Sequence, residues 1–159
     1  RIKTKQDRSK DFLTVGSMGH ASQIALGIAK ANPYKKVVCL DGDGAALMHL
    51  GGMTTIGTND NGNLLHIILN NGAHDSVGGQ PTVAKKICLT SIAKACRYAH
   101  IEGPLKYKEE IIEVISRFNK LSGMCFVEIW VNKGSRDDLG RPREAPIHNK
   151  EIFIRNLRN

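Results

Sequence analysis

Aromatic residues are scarce in this chain: one Trp, three Tyr and four Phe make up 5% of 159 residues. Single-stranded nucleic acids are held on aromatic platforms interleaved with basic side chains, so the formal charge of +8 points to small anions as partners and away from nucleic acid. Long apolar runs are missing too. None approaches the ~20 residues of a membrane-spanning helix, and no signal-peptide pattern opens the chain, so no membrane partner is expected and the reading is a soluble, cytoplasmic protein. Cys39, Cys88, Cys96 and Cys125 lack any CxxC spacing and sit among apolar neighbours, as in Val37-Val38-Cys39-Leu40 and Met124-Cys125-Phe126. They read as reduced, buried thiols and not as a zinc site.

What is present is an alternation of short apolar runs and amphipathic stretches, in a length suited to one domain that buries roughly two thirds of its unfolded surface. The opening residue is Arg1, which reads as a piece of a longer chain. Residues 1–11 are polar and basic and are expected to form a flexible lead-in or linker, leaving residues 12–159 as the domain. Phe12 to Val15 reads as a brief strand. A helix follows from Ser17 or a neighbour, carried by Ile24, Ala25, Ile28 and Ala29 and stopped at Asn32-Pro33. Lys36 to Leu40 is a strand, Ala45 to Gly57 a helix with Leu47, Met48, Leu50 and Met53 inward, Asn59 to Asn63 a turn, and Leu64 to Leu69 the next strand. Gly72 to Thr90 lacks periodicity and is expected to be a long, functional loop with at most a short helical turn. Ser91 to Tyr98 and Tyr107 to Leu121 read as helices, the latter with Ile111, Ile112, Val114, Ile115 and Phe118 inward. Met124 to Val131 is the last strand, and Lys150 to Asn156 a terminal helix.

Two of these strands end in polar residues. Gly42-Asp43-Gly44 follows the first, and Asn70-Asn71 closes the second after 25 intervening residues. In open parallel α/β sheets the carboxyl edge is where ligands bind, and Asp and Asn oxygens on turns suit a hard divalent cation that shares its shell with phosphate oxygens. On these residues alone, Asp43 could equally close a common Asp-Gly turn. Ser17 could be a helix N-cap, and Met18 a core residue.

Gly42-Asp43-Gly44 with Asn70-Asn71, preceded by Gly16-Ser17-Met18-Gly19-His20-Ala21, resembles the cofactor-binding signature of thiamine diphosphate-dependent 2-keto acid decarboxylases. Within that family, Asn70 to Thr82, with His74-Asp75-Ser76-Val77-Gly78-Gly79 and Gln80-Pro81-Thr82, is most similar to phosphonopyruvate decarboxylases, and sulfopyruvate decarboxylases are near relatives. The resemblance runs from about Phe12 to Ile152. It implies an α/β fold, a three-layer doubly wound and mostly parallel sheet forming the diphosphate-binding domain, with thiamine diphosphate and Mg²⁺ as cofactors. It implies Asp43, Asn71 and the Ala73 carbonyl as metal ligands, with Gly42, Gly44 and Ala45 lining the diphosphate through their backbone. Gly16 would meet the aminopyrimidine through a carbonyl, Met18 would wedge between the cofactor's two rings, and Ser17 and His20 would touch phosphate. His74 and Asp75 would face the reacting end of the cofactor as catalytic groups.

A catalytic Glu is contributed in this family by a pyrimidine-binding domain that is not found here. The resemblance therefore implies a partner domain from the same or a neighbouring subunit, a homo-oligomer, and an isolated chain that is inactive. The substrate implied is a small anionic 2-keto acid, phosphonopyruvate, converted to phosphonoacetaldehyde and carbon dioxide in phosphonate biosynthesis. Arg136 and Arg141, just past the last strand, are candidates for its phosphonate, because guanidinium binds such oxygens bidentately; a solvated basic loop or a subunit contact explains them equally well. The alternatives are the β chain of a sulfopyruvate decarboxylase, another decarboxylase of the family, and a non-catalytic nucleotide- or nucleic-acid-binding module using the basic segments.

Overall fold

The computed structural model describes residues 10–60, 62–135 and 145–158. They fall into two units, residues 10–18 with 134–135 and 145–158, and residues 19–60 with 62–133.

In the larger unit, four strands form one parallel sheet in the order β1 (Val37–Gly42), β2 (Leu64–Asn70), β4 (Cys125–Trp130), β3 (His100–Leu105). Alternate side chains of a strand point to opposite faces, and they divide the core in two. Cys39, Leu64, Ile68 and Phe126 pack with helices α1 (Ala21–Ala31), α2 (Asp43–Met48), α3 (Gly52–Gly57) and α4 (Leu89–Ala95) through Ala25, Ala29, Ala46, Met53, Ile56 and Leu89. Leu65, Ile67, Cys125, Val127 and Ile129 pack with α5 (Lys108–Phe118) through Val114 and Phe118. Helices on both faces of a parallel sheet make the three-layer α/β arrangement, and β2, covered on both sides, is accordingly apolar almost throughout. Asn63 ties the layers at their amino edge: its Nδ2 lies 3.0, 2.9 and 2.9 Å from the carbonyl oxygens of Ala29, Asn32 and Lys35.

Several elements depart from the sequence reading. The helix expected over 45–57 is broken at His49–Gly51 into α2 and α3, where Gly51-Gly52 carries the highest entropic cost of helix formation outside proline. Met48, expected inward, is exposed. The first helix begins at Ala21, because Ser17 and Gly19 have φ of 43° and 91°, outside the helical region. β3 was not expected at all: Gly103-Pro104 interrupts it and its register shifts between Glu102 and Leu105, features tolerated because it is an edge strand. In α5, Ile112 and Ile115 point outward, 56% and 46% exposed; Glu110 caps its start, accepting from the Lys106 and Tyr107 N–H groups at 3.0 Å each. Those hydrogen bonds hold the Glu110 carboxyl below its usual range. Cys88 is exposed, unlike the other three thiols.

In the smaller unit, α6 (Pro146–Arg158) holds Phe153 with its ring centroid 5.5 Å from that of Phe12, and Asn149 Nδ2 donates to the Leu13 carbonyl at 3.1 Å. Phe12 to Val15 forms no strand. Residues 1–9, most of the expected lead-in, lie outside the described residues. Among the described residues, no helix is long and apolar enough to cross a membrane.

Candidate functional site

The site grows from the carboxyl ends of β1 and β2, which pair in register with Gly42 opposite Leu69. Asp43 opens α2 immediately after β1, and Asn71 follows β2. This neighbouring pair of strand ends brings together two residues 28 apart in sequence: Asp43 Oδ1 accepts from the Asn71 N–H at 3.3 Å. Asp43 Oδ2 accepts from the Thr82 hydroxyl. Asn71 is oriented by both ends of its amide, with Oδ1 accepting from the Ala73 N–H at 2.9 Å and Nδ2 donating to Asp75 Oδ2 at 2.7 Å. Asp75 thus meets Asn71, and both face solvent more than Asp43 does. Asn70 is buried instead, donating to Glu128 Oε1 at 2.8 Å and accepting from the Gly72 N–H at 3.1 Å.

Asp43 is 1% exposed, and among the described residues no Lys or Arg pairs with it. A buried carboxylate is costly unless it is hydrogen-bonded, paired with a cation or bound to a metal. Asp43 has two hydrogen-bond donors and, among the described residues, no cation. The Asp43 carboxylate at the end of β1 and the Asn71 amide oxygen and Ala73 carbonyl on the turn after β2 are all hard oxygen donors, a set that fits an ion of the Mg²⁺ type.

His74 and Gly44 meet at the same place. A Cβ built on Gly44 would lie 2.4 Å from His74 Nδ1, so the absence of a side chain there is what lets the imidazole lie against the start of α2. His20, expected at phosphate, stacks on His49 with ring centroids 4.0 Å apart; His49 therefore has a partner that its sequence context did not reveal. Gly16, Ser17 and Met18 belong to the smaller unit, and Gly16 has φ of 75°. Ser17 is not the N-cap of α1, a position held by His20 without a side-chain cap. Arg136 and Arg141 lie outside the described residues.

Behind the turn runs a buried polar chain. Gly42 donates its N–H to Asp41 Oδ1 at 3.0 Å, His66 Nε2 lies 3.3 Å from Asp41 Oδ2, and His66 Nδ1 lies 3.1 Å from the Tyr98 hydroxyl oxygen. Since a carboxylate only accepts, Nε2 carries the proton toward Asp41 and, in neutral imidazole, Nδ1 accepts from Tyr98. Cys39 is beside them, its Sγ within 4.8 Å of the Asp41 and His66 donor atoms, but burial, reinforced by the Asp41 charge, pushes its thiol up to about 12, so it stays protonated. His66 has no neighbour at ligand spacing in the sequence, yet the fold gives it two partners. The signal was legible, a single His inside the otherwise apolar run Leu64 to Leu69, because a buried imidazole needs partners at both nitrogens. Thr82 carried no comparable sign.

Residues 3–129 match the family described as "Thiamine pyrophosphate enzyme, C-terminal TPP binding domain", thiamine pyrophosphate being the same compound as thiamine diphosphate. The chain is 38% identical over 143 residues to a phosphonopyruvate decarboxylase of Streptomyces viridochromogenes, covering 90% of this chain and 36% of the relative. It is 39% identical over 145 residues to one of Streptomyces hygroscopicus, covering 90% and 35%. To the sulfopyruvate decarboxylase subunit beta of Methanothermobacter thermautotrophicus it is 41% identical over 134 residues, covering 83% of this chain and 68% of the relative. The chain thus spans little more than a third of the length of the phosphonopyruvate decarboxylases it matches. Among solved structures, a thiamin diphosphate-dependent enzyme from Mycobacterium smegmatis superposes with a TM-score of 0.56 at 18% identity, over 72% of this chain and 21% of that one; at that identity the likeness speaks for the fold alone.

Proposed function

Because the chain belongs to the thiamine pyrophosphate enzymes as their C-terminal TPP-binding domain, we propose that it is the diphosphate- and Mg²⁺-binding half of a decarboxylase that converts phosphonopyruvate to phosphonoacetaldehyde and carbon dioxide. The observation that carries the reading is Asp43, a buried carboxylate without a cation partner among the described residues, facing the Asn71 turn. Asp43, Asn71 and the Ala73 carbonyl hold the metal, and the N–H groups of Gly44 and Ala45, at the first turn of α2 where backbone donors lack intrahelical partners, receive diphosphate oxygens. Bound thiamine diphosphate supplies the electron sink that decarboxylation of a 2-keto acid requires. His74, held against Gly44, and Asp75 serve the reacting end, Asp75 doing so in part by orienting Asn71. His20, stacked on His49 in the same unit as Asp43, adds a further cofactor contact.

The other wall comes from a pyrimidine-binding domain carrying the catalytic Glu, in the same or a neighbouring subunit of a homo-oligomer in the cytoplasm. Arg141, with Arg136 as alternative, captures the phosphonate. A second reading, the β chain of a sulfopyruvate decarboxylase, is supported by one observation: the chain is as similar to that relative, 41% identical over 134 residues, as to the phosphonopyruvate decarboxylase at 38% over 143.

Turnover of phosphonopyruvate, sulfopyruvate and pyruvate by the full-length protein with Mg²⁺ and thiamine diphosphate separates the two. Phosphonopyruvate is expected to be preferred, and Arg141→Lys to raise its KM roughly tenfold while leaving that of pyruvate unchanged, the loss expected when a charge-assisted contact worth about 1.5–3 kcal/mol is weakened. Preference for sulfopyruvate supports the second reading. No turnover of any of the three overturns both.

A further inference from the structure

The segment from Gly72 to Thr82 leaves the metal turn and comes straight back to it. Its return is built from the backbone: the His74 N–H donates to the Gln80 carbonyl at 2.8 Å, the Thr82 N–H to the Gly72 carbonyl at 3.0 Å, and Ala73 forms an isolated antiparallel bridge with Pro81. Gly78 and Gly79, with φ of 115° and 76°, turn the chain at the far end, where the Gly79 N–H donates to the His74 carbonyl at 2.9 Å. What this closed loop delivers is one hydroxyl. Thr82 Oγ1 donates to Asp43 Oδ2, across 39 residues of sequence, and accepts from the Ala84 N–H at 3.3 Å.

We infer that Thr82 is a positioning residue for the metal site: its hydroxyl holds Oδ2 of Asp43 so that the carboxylate cannot rotate and Oδ1 stays over the Asn71 turn. The inference rests on the Mg²⁺ and thiamine diphosphate reading of the site. A carboxylate on a single Cβ–Cγ bond rotates freely unless one oxygen is pinned, and a hydroxyl donating to a carboxylate is among the stronger pins available. Asn71 is fixed in the same manner from its other side by Asp75. Both side-chain oxygens offered to the metal are thus oriented by groups on one loop, which gives the Gln80-Pro81-Thr82 turn a physical purpose. Groups of this kind, one bond behind a ligand, typically change metal affinity by about 10- to 100-fold when removed.

The test uses the full-length protein and reads metal affinity, by titrating Mn²⁺ as a spin probe and Mg²⁺ against it, together with the Mg²⁺ dependence of thiamine diphosphate binding by calorimetry. Thr82→Val keeps the shape and removes the donor; Thr82→Ala removes it without a branched side chain, and is read in the same way if the Val variant does not fold. The expected result is metal affinity lowered about 10- to 100-fold with cofactor affinity largely restored at saturating Mg²⁺, whereas Thr82→Ser stays within about threefold of the parent. Unchanged metal affinity in the Val or Ala variant overturns the role of Thr82, as does a Ser variant as impaired as Val. If instead the unaltered protein binds the cofactor equally well without metal, it is the reading of the site that fails.

Discussion

Replacing Asp43 by Ala in the full-length protein is expected to remove Mg²⁺-dependent binding of thiamine diphosphate. In the proposed donor set Asp43 is the charged member, the others, the Asn71 amide and the Ala73 carbonyl, being neutral. Without it the ion loses its only anionic protein contact, and the diphosphate loses the ion that links it to the domain. The loss should exceed the ~10- to 100-fold typical of residues behind a ligand, so calorimetry should show cofactor affinity at least about 100-fold weaker even at high Mg²⁺. Because Asp43 is buried with no cationic partner among the described residues, its removal takes away a buried charge at the expense of two hydrogen bonds, those from the Asn71 N–H and the Thr82 hydroxyl, and the fold should survive. An Asp43→Ala protein that retains metal-dependent affinity returns Asp43 to being an ordinary strand-end turn.

A comparable effect on stability, not on binding, is expected at His66. The side chain is wholly buried between Asp41 and Tyr98, and His66→Leu fills nearly the same volume while stranding a carboxylate on one side and a hydroxyl on the other. An orphaned buried polar group costs about 1–3 kcal/mol, and more when it is charged, so a loss of about 3 kcal/mol or more is expected, a large part of the 5–15 kcal/mol by which domains are ordinarily stable. The urea midpoint should fall accordingly with its slope unchanged. Adding Asp41→Val should recover part of the loss, since apolar replacement of both partners is far cheaper than removal of one. An unfolding free energy within about 0.5 kcal/mol of the parent protein's, the range of neutral surface changes, would show that this polar chain is not a structural element. The same network fixes Gly42 through Asp41, so the His66 variant should also weaken cofactor binding, though less than Asp43→Ala.

How much was legible in the sequence follows from the range of each interaction. β1, β2 and β4 declared themselves as short apolar runs: β2 and β4 are central strands covered on both faces, whereas β1 is an edge strand that keeps an apolar run although Val38 and Leu40 are exposed; Asp43 and Asn71 declared themselves by standing at the ends of such runs. β3 did not, since an edge strand needs neither an apolar pattern nor uninterrupted donors, and His100 to Leu105 with Gly103-Pro104 has neither. The break between α2 and α3 was written in Gly51-Gly52 and overridden in the reading by the helical spacing of Leu47, Leu50 and Met53. Contacts that close over long separations were invisible. Nothing in the sequence near Thr82 points to Asp43, and nothing near Tyr98 points to His66. These depend on a loop's return path and on a helix packing against the sheet, both properties of the assembled fold.

The measurement that bears most directly on the central claim is a calorimetric titration of the unaltered full-length protein with thiamine diphosphate, once in excess Mg²⁺ and once in EDTA. Tight binding in Mg²⁺ that is lost in EDTA and returns when the metal is restored is the predicted result. Equal affinity in the two conditions, or no binding in either, would contradict the account.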